Sequence, residues 1–203
     1  MKLYHTPTSP FVRKVMVTAH ELGLAGRIET VFLRPTPVKT DPELSKQNPL
    51  SKIPALVLDD GSSLYDSGVI CEYLQTLASG VTIIPPSGAD RFRVLRQHAL
   101  CNGVLDASVL VFYERQHRPK ELQWEPWISG QIEKATQGLD ALEHEAKHFG
   151  GHPDLGQIAA AVAIGWLEFR NVLGDLRKGR PALFVWYDRF AERPSMKATV
   201  PHA

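Results

Sequence analysis

The sequence has little of the features that mark secreted, membrane or metal-binding proteins. It contains only two cysteines, Cys71 and Cys101, among 203 residues, and their separation matches no metal-ligand spacing. Two cysteines are too few for the disulfide framework of a small secreted domain. The longest apolar run covers residues 158–167, whereas a transmembrane helix needs about 20 residues. Residues 1–12 hold no apolar stretch of signal-peptide length, so we expect a cytoplasmic protein without a membrane span.

Charge of one sign is not in excess either. Lys and Arg number 23 and Asp and Glu number 22, which gives a formal net charge of +1. Nucleic-acid-binding domains usually have a clear basic surplus, so we expect no nucleic-acid partner. Hydrophobic residues make up 43% and charged residues 22% of the chain. These fractions are typical of globular proteins and exclude a disordered chain, and the length fits one large domain or two small ones.

Residues 1–79 alternate between strand-like and helix-like segments. Short apolar or alternating stretches predict four strands, at residues 2–4, 28–33, 55–58 and 63–65. Helical spacing of apolar residues predicts one helix that stops at Gly23 and another that begins near residue 67. The first two strands are joined through a helix, which favours a parallel pair, and the turn signal at residues 59–61 predicts an antiparallel hairpin. We therefore predict a small mixed sheet packed with helices.

The second half of the chain is predicted to be helical throughout. Residues 79–88 are rich in Ser, Gly and Pro and predict a linker. Beyond it, helices are predicted at residues 91–117, 126–148, from 155 onward and at 182–191. The third of these is apolar nearly all round, so it should lie at the centre, and Asp154 with Gln157 predicts a capping box at its start. The predicted fold class is α/β plus all-α, with domains at 1–79 and 87–203.

Ser9 lies where the first predicted strand turns into the first predicted helix. Serine is a preferred N-cap residue, and Pro10 suits the first helical turn, so capping is the interpretation favoured by position alone. A helix N-terminus also offers free N–H groups and the positive end of the helix dipole. In the functional interpretation, these groups and the Ser9 hydroxyl stabilise an anion such as a thiolate.

Two later segments leave similar alternatives open. Pro54 begins a predicted strand and is a candidate for a cis peptide bond, although most X–Pro bonds are trans. A cis bond there would leave the backbone of Ile53 free to pair with an extended ligand. Asp66 and Ser67 begin a predicted helix, where capping is the simpler explanation. Alternatively, the carboxylate binds an ammonium group while the hydroxyl and helix N–H groups bind a carboxylate, as an amino-acid end would require.

Together, these segments resemble the glutathione S-transferase superfamily. The resemblance covers essentially the whole chain and is most specific in MKLYHTPTSPFVRKV, NPLSKIPALVLDDGSSLYDSGVICEYL and DLGQIAAAVAIGWLEFR. The segment RQHRP after the first long helix is similar to that of a bacterial subgroup of short transferase-like proteins. The resemblance implies a thioredoxin-like N-terminal domain that binds glutathione, an all-helical C-terminal domain that helps shape the second substrate's pocket, and a homodimer.

The resemblance also implies roles for individual residues. Ser9 would be catalytic, with its hydroxyl facing the glutathione sulfur, while the backbone of Ile53, followed by Pro54 as a cis-proline, would pair with the cysteinyl part. Asp66 and Ser67 would hold the γ-glutamyl end. The other implied glutathione contacts are Phe11, Lys39 and Lys52, and either lysine could meet the glycine carboxylate. Candidates for the second-substrate pocket are His5, Pro10, Tyr113 and Arg115, although packing explains the last two equally well.

These roles predict an enzyme that activates the glutathione thiol and transfers it to a small electrophile. The free thiol has a pKa near about 8.5, and a hydroxyl donor at a helix N-terminus lowers it. No metal site is expected. A glutathione-dependent reductase or isomerase and a non-catalytic interaction or regulatory module remain alternatives. A thiol oxidoreductase is disfavoured because residues 9–12 contain no cysteine, and Cys71 and Cys101 are interpreted as buried structural residues.

Overall fold

The computed structural model describes residues 1–202. They form two compact units. The first comprises Met1–Pro85 together with the described residues from Pro194 onward, and the second comprises Pro86–Arg193. None of the described helices is both long and apolar enough to cross a membrane.

The first unit is built on a mixed sheet of four short strands. In chain order these are β1 (Lys2–His5), β2 (Glu29–Phe32), β3 (Ala55–Val57) and β4 (Ser63–Leu64). The order across the sheet is β2-β1-β3-β4. In β1, Leu3 lies opposite Thr30 of the parallel strand β2 and opposite Leu56 of the antiparallel strand β3. Strands β3 and β4 are antiparallel, so the predicted crossover and hairpin are both confirmed.

Helices α1 (Pro10–Glu21), α2 (Pro42–Gln47) and α3 (Ser67–Leu77) complete most of this unit. Helix α1 contacts α3, and α2 contacts β3. Helix α1 ends just before Gly23, whose φ of 70° lies in the left-handed region that glycine tolerates, as the sequence predicted. Cys71 in α3 is buried. Its Sγ lies 3.5 Å from the Thr18 hydroxyl, and burial raises the pKa of its thiol, which agrees with a structural role.

The chain returns to the first unit at its C-terminal side through the short helix α8 (Pro194–Lys197). Arg13, buried in α1, donates a hydrogen bond to the Met196 carbonyl at 3.2 Å. The Ser195 hydroxyl donates to the Glu21 carboxylate. These contacts assign the segment to the first unit, whereas the domain ranges predicted from sequence include it in the helical domain.

The second unit is all-helical within the described residues. Its helices are α4 (Gly88–His117), α5 (Glu125–Ala146), α6 (Leu155–Arg170) and α7 (Pro181–Ala191). Every residue from 155 to 167 is buried, and α6 packs against the long helix α4, which also contacts α5. Helix α6 is therefore central, as predicted. Cys101 in α4 is buried as well.

The start of α6 combines a helix cap with an ion pair. One carboxylate oxygen of Asp154 accepts a hydrogen bond from the Gln157 backbone N–H at 2.9 Å. The other lies 3.2 Å from the Arg93 guanidinium. The predicted cap is therefore confirmed, but the predicted return contact is wrong, because the Gln157 side chain donates to the Gly150 carbonyl instead.

We expect Asp154→Ala to lower the free energy of unfolding of the second unit by about 1–2 kcal/mol, mostly through loss of the cap. The ion pair contributes less, because the Arg93 side chain is half exposed. Chemical denaturation of Asp154→Ala, Asp154→Ser and Arg93→Ala separates the contribution of the helix cap from that of the ion pair. Asp154→Ser should retain most of the stability, and a loss in Arg93→Ala as large as that in Asp154→Ala would contradict this assignment.

Candidate functional site

One end of the first unit's sheet brings the three predicted segments together. Tyr4 near the end of β1 pairs with Ala55 at the start of β3. Leu56 in β3 pairs with Leu64 at the end of β4. The chain that leaves β1 towards Ser9, the chain that enters β3 through Pro54 and the chain that leaves β4 towards Asp66 therefore lie at the same end of the sheet. The hairpin turn at residues 59–61 lies at the opposite end.

Ser9 caps α1, as the simpler interpretation predicted. Its Oγ accepts a hydrogen bond from the Val12 N–H at 3.3 Å, and Pro10 occupies the first turn. A hydroxyl has one donor hydrogen and two acceptor lone pairs. Capping uses a lone pair and leaves the O–H of Ser9 able to donate elsewhere, so the capping and functional interpretations are compatible. Phe11 lies in the next position, with the Lys14 ammonium 5.7 Å from its ring centroid.

The peptide bond between Ile53 and Pro54 is cis, which confirms that geometric prediction. Within residues 1–202, the backbone N–H and C=O of Ile53 make no hydrogen bond, and its side chain is only half-buried. The preceding loop is held by buried Asn48, whose side chain donates to the Lys52 carbonyl at 2.8 Å and accepts from the Leu50 N–H at 3.0 Å. No motif in the sequence points to Asn48, because only the fold shows that this asparagine is buried.

Asp66 caps α3 by accepting a hydrogen bond from the Gly68 N–H at 2.8 Å. The Tyr65–Asp66 bond is also cis. Ser67 is the first residue of α3 and is only 1% exposed. Its hydroxyl makes no hydrogen bond within residues 1–202. The exposed carboxylate of Asp66 and the hydroxyl of Ser67 thus lie beside the free N–H groups of the α3 N-terminus.

The two candidate lysines lie on loops of the same unit. Lys39 is exposed in a turn whose backbone pairs with Thr36 through hydrogen bonds of 3.0 and 3.1 Å. Lys52 is exposed directly before Ile53. Both ammonium groups are therefore accessible to an anion.

The candidates for a second-substrate pocket are divided between the two units. In the first unit, His5 ends β1, with its ring centroid 6.1 Å from that of Phe32. Burial and the nearby His202 both lower the pKa of His5, which favours its neutral form. Pro10 is buried at the start of α1.

In the second unit, Tyr113 lies half-buried in the last turns of α4, with its ring centroid 5.4 Å from that of His117. Burial raises the pKa of the Tyr113 hydroxyl, and the charge of Arg170 opposes this shift. Arg115 is exposed and lies 3.5 Å from the Val172 carbonyl, to which it donates a hydrogen bond. Arg170, which no sequence motif indicates, thus lies close enough to Tyr113 for its charge to act on the hydroxyl.

The donor and acceptor groups at the sheet end have a definite chemistry. A carboxylate is suited to an ammonium group, free N–H groups and hydroxyls to anions, and an unpaired backbone segment to an extended peptide. Within residues 1–202, no cluster of three His, Cys, Asp or Glu side chains could hold a metal ion. The groups at this sheet end can pair chemically with a small peptide that has charged ends.

Comparison with known proteins gives a consistent result for both halves of the chain. Residues 8–77 match the family model of the glutathione S-transferase N-terminal domain. Residues 125–189 match that of the C-terminal domain. The uncharacterized GST-like protein YibF of Escherichia coli (strain K12) is 33% identical over 99% of this chain and 98% of its own length.

Solved structures extend the similarity to the fold. A glutathione transferase family member from Pseudomonas fluorescens Pf-5, with bound glutathione, is 44% identical, with a TM-score of 0.97 over 100% of this chain and 99% of that one. A glutathione S-transferase from Methylobacillus flagellatus KT, also with glutathione bound, is 35% identical, with a TM-score of 0.87 over 99% of both chains. The predicted fold class, a thioredoxin-like unit followed by an all-helical one, is confirmed.

Proposed function

Because the chain belongs to the glutathione S-transferase superfamily, we propose that it binds reduced glutathione at the sheet end of the first unit and joins the glutathione sulfur to a small electrophile. The observation that carries this proposal is the strand register, which gathers Ser9, Ile53 and Asp66 at one end of the sheet. The proposed glutathione-binding domain is the predicted range 1–79.

Each part of the tripeptide has a proposed partner. Asp66 binds the ammonium group of the γ-glutamyl end, while the Ser67 hydroxyl and the α3 N-terminus bind its carboxylate. The unpaired backbone of Ile53 hydrogen-bonds to the cysteinyl residue as an added strand would. Either Lys39 or Lys52 meets the glycine carboxylate. Phe11 adds apolar contact beside the sulfur.

The proposed chemistry begins with the ionisation of the thiol. The Ser9 hydroxyl donates to the sulfur, and the α1 N-terminus adds a positive potential, so the pKa of the bound thiol falls below that of free glutathione. The thiolate attacks an electrophilic carbon and forms a C–S bond, while a leaving group departs with its electron pair or a conjugated double bond takes up the electrons. His5, Pro10, Tyr113 and Arg115 are the proposed contacts of the electrophile.

A solved relative supports a substrate that becomes attached to the sulfur. The Pseudomonas fluorescens Pf-5 family member, 43% identical in this second structure with a TM-score of 0.92, also binds S-(propanoic acid)-glutathione. This ligand carries its substituent on the glutathione sulfur, as a transferase product would. We therefore propose that this chain catalyses a conjugation rather than a reduction. We also propose that it acts as a cytoplasmic homodimer.

Calorimetric titration with reduced glutathione tests the proposal. We expect saturable binding to the wild-type protein and about tenfold weaker binding to Ser67→Ala, because a hydrogen bond to a charged group is lost. The matched control is Ser62→Ala, since Ser62 bonds to Asp60 in the turn at the opposite end of the sheet. This control should bind glutathione as the wild type does.

The contrary outcomes are equally specific. If no binding is detected up to millimolar glutathione, the proposed glutathione chemistry is contradicted. The alternative of a non-catalytic interaction module would then be favoured. Equal weakening in Ser62→Ala and Ser67→Ala would show that the loss does not arise at the α3 N-terminus. Melting temperatures of all three proteins reveal whether the buried Ser67 substitution has disturbed the fold.

A further inference from the structure

The C-terminal ends of α4 and α6 form a cluster of aromatic rings around one guanidinium. Arg170 is the last residue of α6. Its Cζ lies 4.5 Å from the ring centroid of Phe112 and 4.7 Å from that of Phe169. Tyr113 follows Phe112 on α4, and its ring packs at 5.5 Å from that neighbour. The guanidinium of Arg170 thus lies within cation–π distance of both rings.

This cluster is rich in hydrogen-bond donors, and none of its four side chains is a carboxylate. The Nε–H of Arg170 is buried without a hydrogen-bond partner. Within residues 1–202, the Tyr113 hydroxyl donates to no other group, and Arg170 forms no ion pair. A guanidinium carries five N–H donors and no acceptor. Leaving the buried Nε–H unpaired is unfavourable, so the cluster favours a ligand that supplies acceptor oxygens to the guanidinium.

Nearby carboxylates do not fill this role, because they pair with other arginines. Glu114, directly after Tyr113, lies 2.7 Å from the Arg118 guanidinium. Glu168, two residues before the end of α6, lies 3.1 Å from Arg177. Arg177 also pairs with Asp188 at 2.9 Å. Within residues 1–202, Arg170 therefore has no ion-pair partner of its own.

We infer that Tyr113 and Arg170 bind a carboxylate on the second substrate, so that the enzyme selects electrophiles that carry an acid group. The planar fork of Arg170 suits two parallel hydrogen bonds to carboxylate oxygens, and the Tyr113 hydroxyl supplies a third donor. This inference rests on the proposed function for the electrophile to which the carboxylate belongs. It adds Arg170 as a residue that determines specificity.

The test compares two ligand pairs that differ only in a carboxylate or its neutral amide. The first pair is S-(para-carboxybenzyl)glutathione and S-(para-carbamoylbenzyl)glutathione, and the second, without the tripeptide, is para-toluate and para-toluamide. Calorimetry measures the affinities of wild-type protein for each. We expect at least one acid to bind about tenfold more tightly than its amide, as charge-assisted hydrogen bonds imply.

Three variants assign this preference to the cluster. Arg170→Gln should reduce the acid-to-amide ratio to about one, and Tyr113→Phe should reduce it partly, because one donor is lost. The matched control is Arg96→Gln, since Arg96 is an exposed arginine of α4 paired with Glu145 at 2.6 Å. It removes the same charge and should keep the wild-type ratio. If Arg170→Gln does not fold, Tyr113→Phe still tests the inference.

The outcomes separate this inference from the proposed function. Equal affinity for acid and amide in both pairs would overturn the inference, as would an acid preference that is undiminished in both Arg170→Gln and Tyr113→Phe. Titration with unsubstituted glutathione reports on the proposed function alone. A role of Arg170 restricted to packing would lower the melting temperature and weaken acid and amide binding equally.

Discussion

Ser9→Ala is expected to lower kcat/KM by about 100-fold, while the dissociation constant for glutathione changes much less. Loss of one donor to a developing or fixed negative charge costs about 10²–10³ in rate. The donor stabilises the charged sulfur and contributes little to binding the neutral thiol, so the effect should fall on turnover. Steady-state kinetics with a general electrophile and calorimetry with glutathione measure the two quantities.

The pH dependence of this defect follows from the direction of the thiol shift. In the wild type, the pKa of bound glutathione is proposed to lie below its free value, and Ser9→Ala should raise it towards that value by about two units. At pH values below the wild-type thiol pKa, the variant then has about 100-fold less thiolate. The defect should shrink as pH rises through the variant's own thiol pKa, where both proteins are ionised. Ultraviolet absorbance of the thiolate follows the two titrations directly.

Ser9→Thr serves as the control, because threonine retains both the lone pair that caps α1 and the hydroxyl donor. The alanine variant also loses the hydrogen bond from Val12, which should cost about 1 kcal/mol of stability. Melting temperatures therefore accompany the kinetics. Parallel losses of turnover and glutathione affinity, or a defect that is independent of pH, would contradict the proposed role of Ser9.

Gly138→Ala is expected to destabilise the second unit by about 1–3 kcal/mol, because its core has no room for a methyl group. A Cβ at Gly138 on α5 would lie 2.3 Å from Cγ2 of Val104 on α4. Val104 is 2% exposed, and a β-branched side chain in a helix has one strongly preferred rotamer. The helices must therefore move apart. Thermal and chemical denaturation measure the loss.

The same helix offers a matched control. Gly130 also lies in α5, but nothing lies within 4 Å of a Cβ added there. Gly130→Ala should therefore stabilise the protein by about 0.5–1 kcal/mol through better helix propensity. The double variant Gly138→Ala with Val104→Ala should lose less stability than the sum of the two single variants. Additive losses would show that the two positions do not clash.

The elements that the sequence predicted best are those with strong local signals. The hairpin was predictable because the Asp59-Asp60-Gly61 turn is a local signal, and α6 because its residues are apolar on every side. Helix α2 lies between residues 33 and 55, where the sequence predicted neither helix nor strand, since α2 has six residues and only Leu44 is buried. Its local signals are Pro42 in the first turn and Asp41, which caps the helix by accepting hydrogen bonds from the Glu43 and Leu44 N–H groups.

The residues of the candidate site were likewise predictable only where the sequence carries a recognisable motif. Ser9, Ile53 and Asp66 were found because their segments resemble a family in order and composition, and each also has a local structural explanation. Asn48 and Arg170 could not be found in this way. An asparagine in a loop and an arginine at a helix end are usually exposed, so only the tertiary structure reveals that one organises a loop and the other has no acceptor.

The contact between the C-terminal segment and α1 has a consequence for synthesis of the protein on the ribosome. The first unit is discontinuous in sequence, because the whole second unit lies between Pro85 and Pro194. Buried Arg13 gains the carbonyl of Met196 as a partner only after residue 196 has been made. Domains usually fold in the order in which they emerge. Here the first unit begins to emerge before the helical unit but is completed after it. Its final packing around Arg13 can therefore form only once the helical unit has been translated.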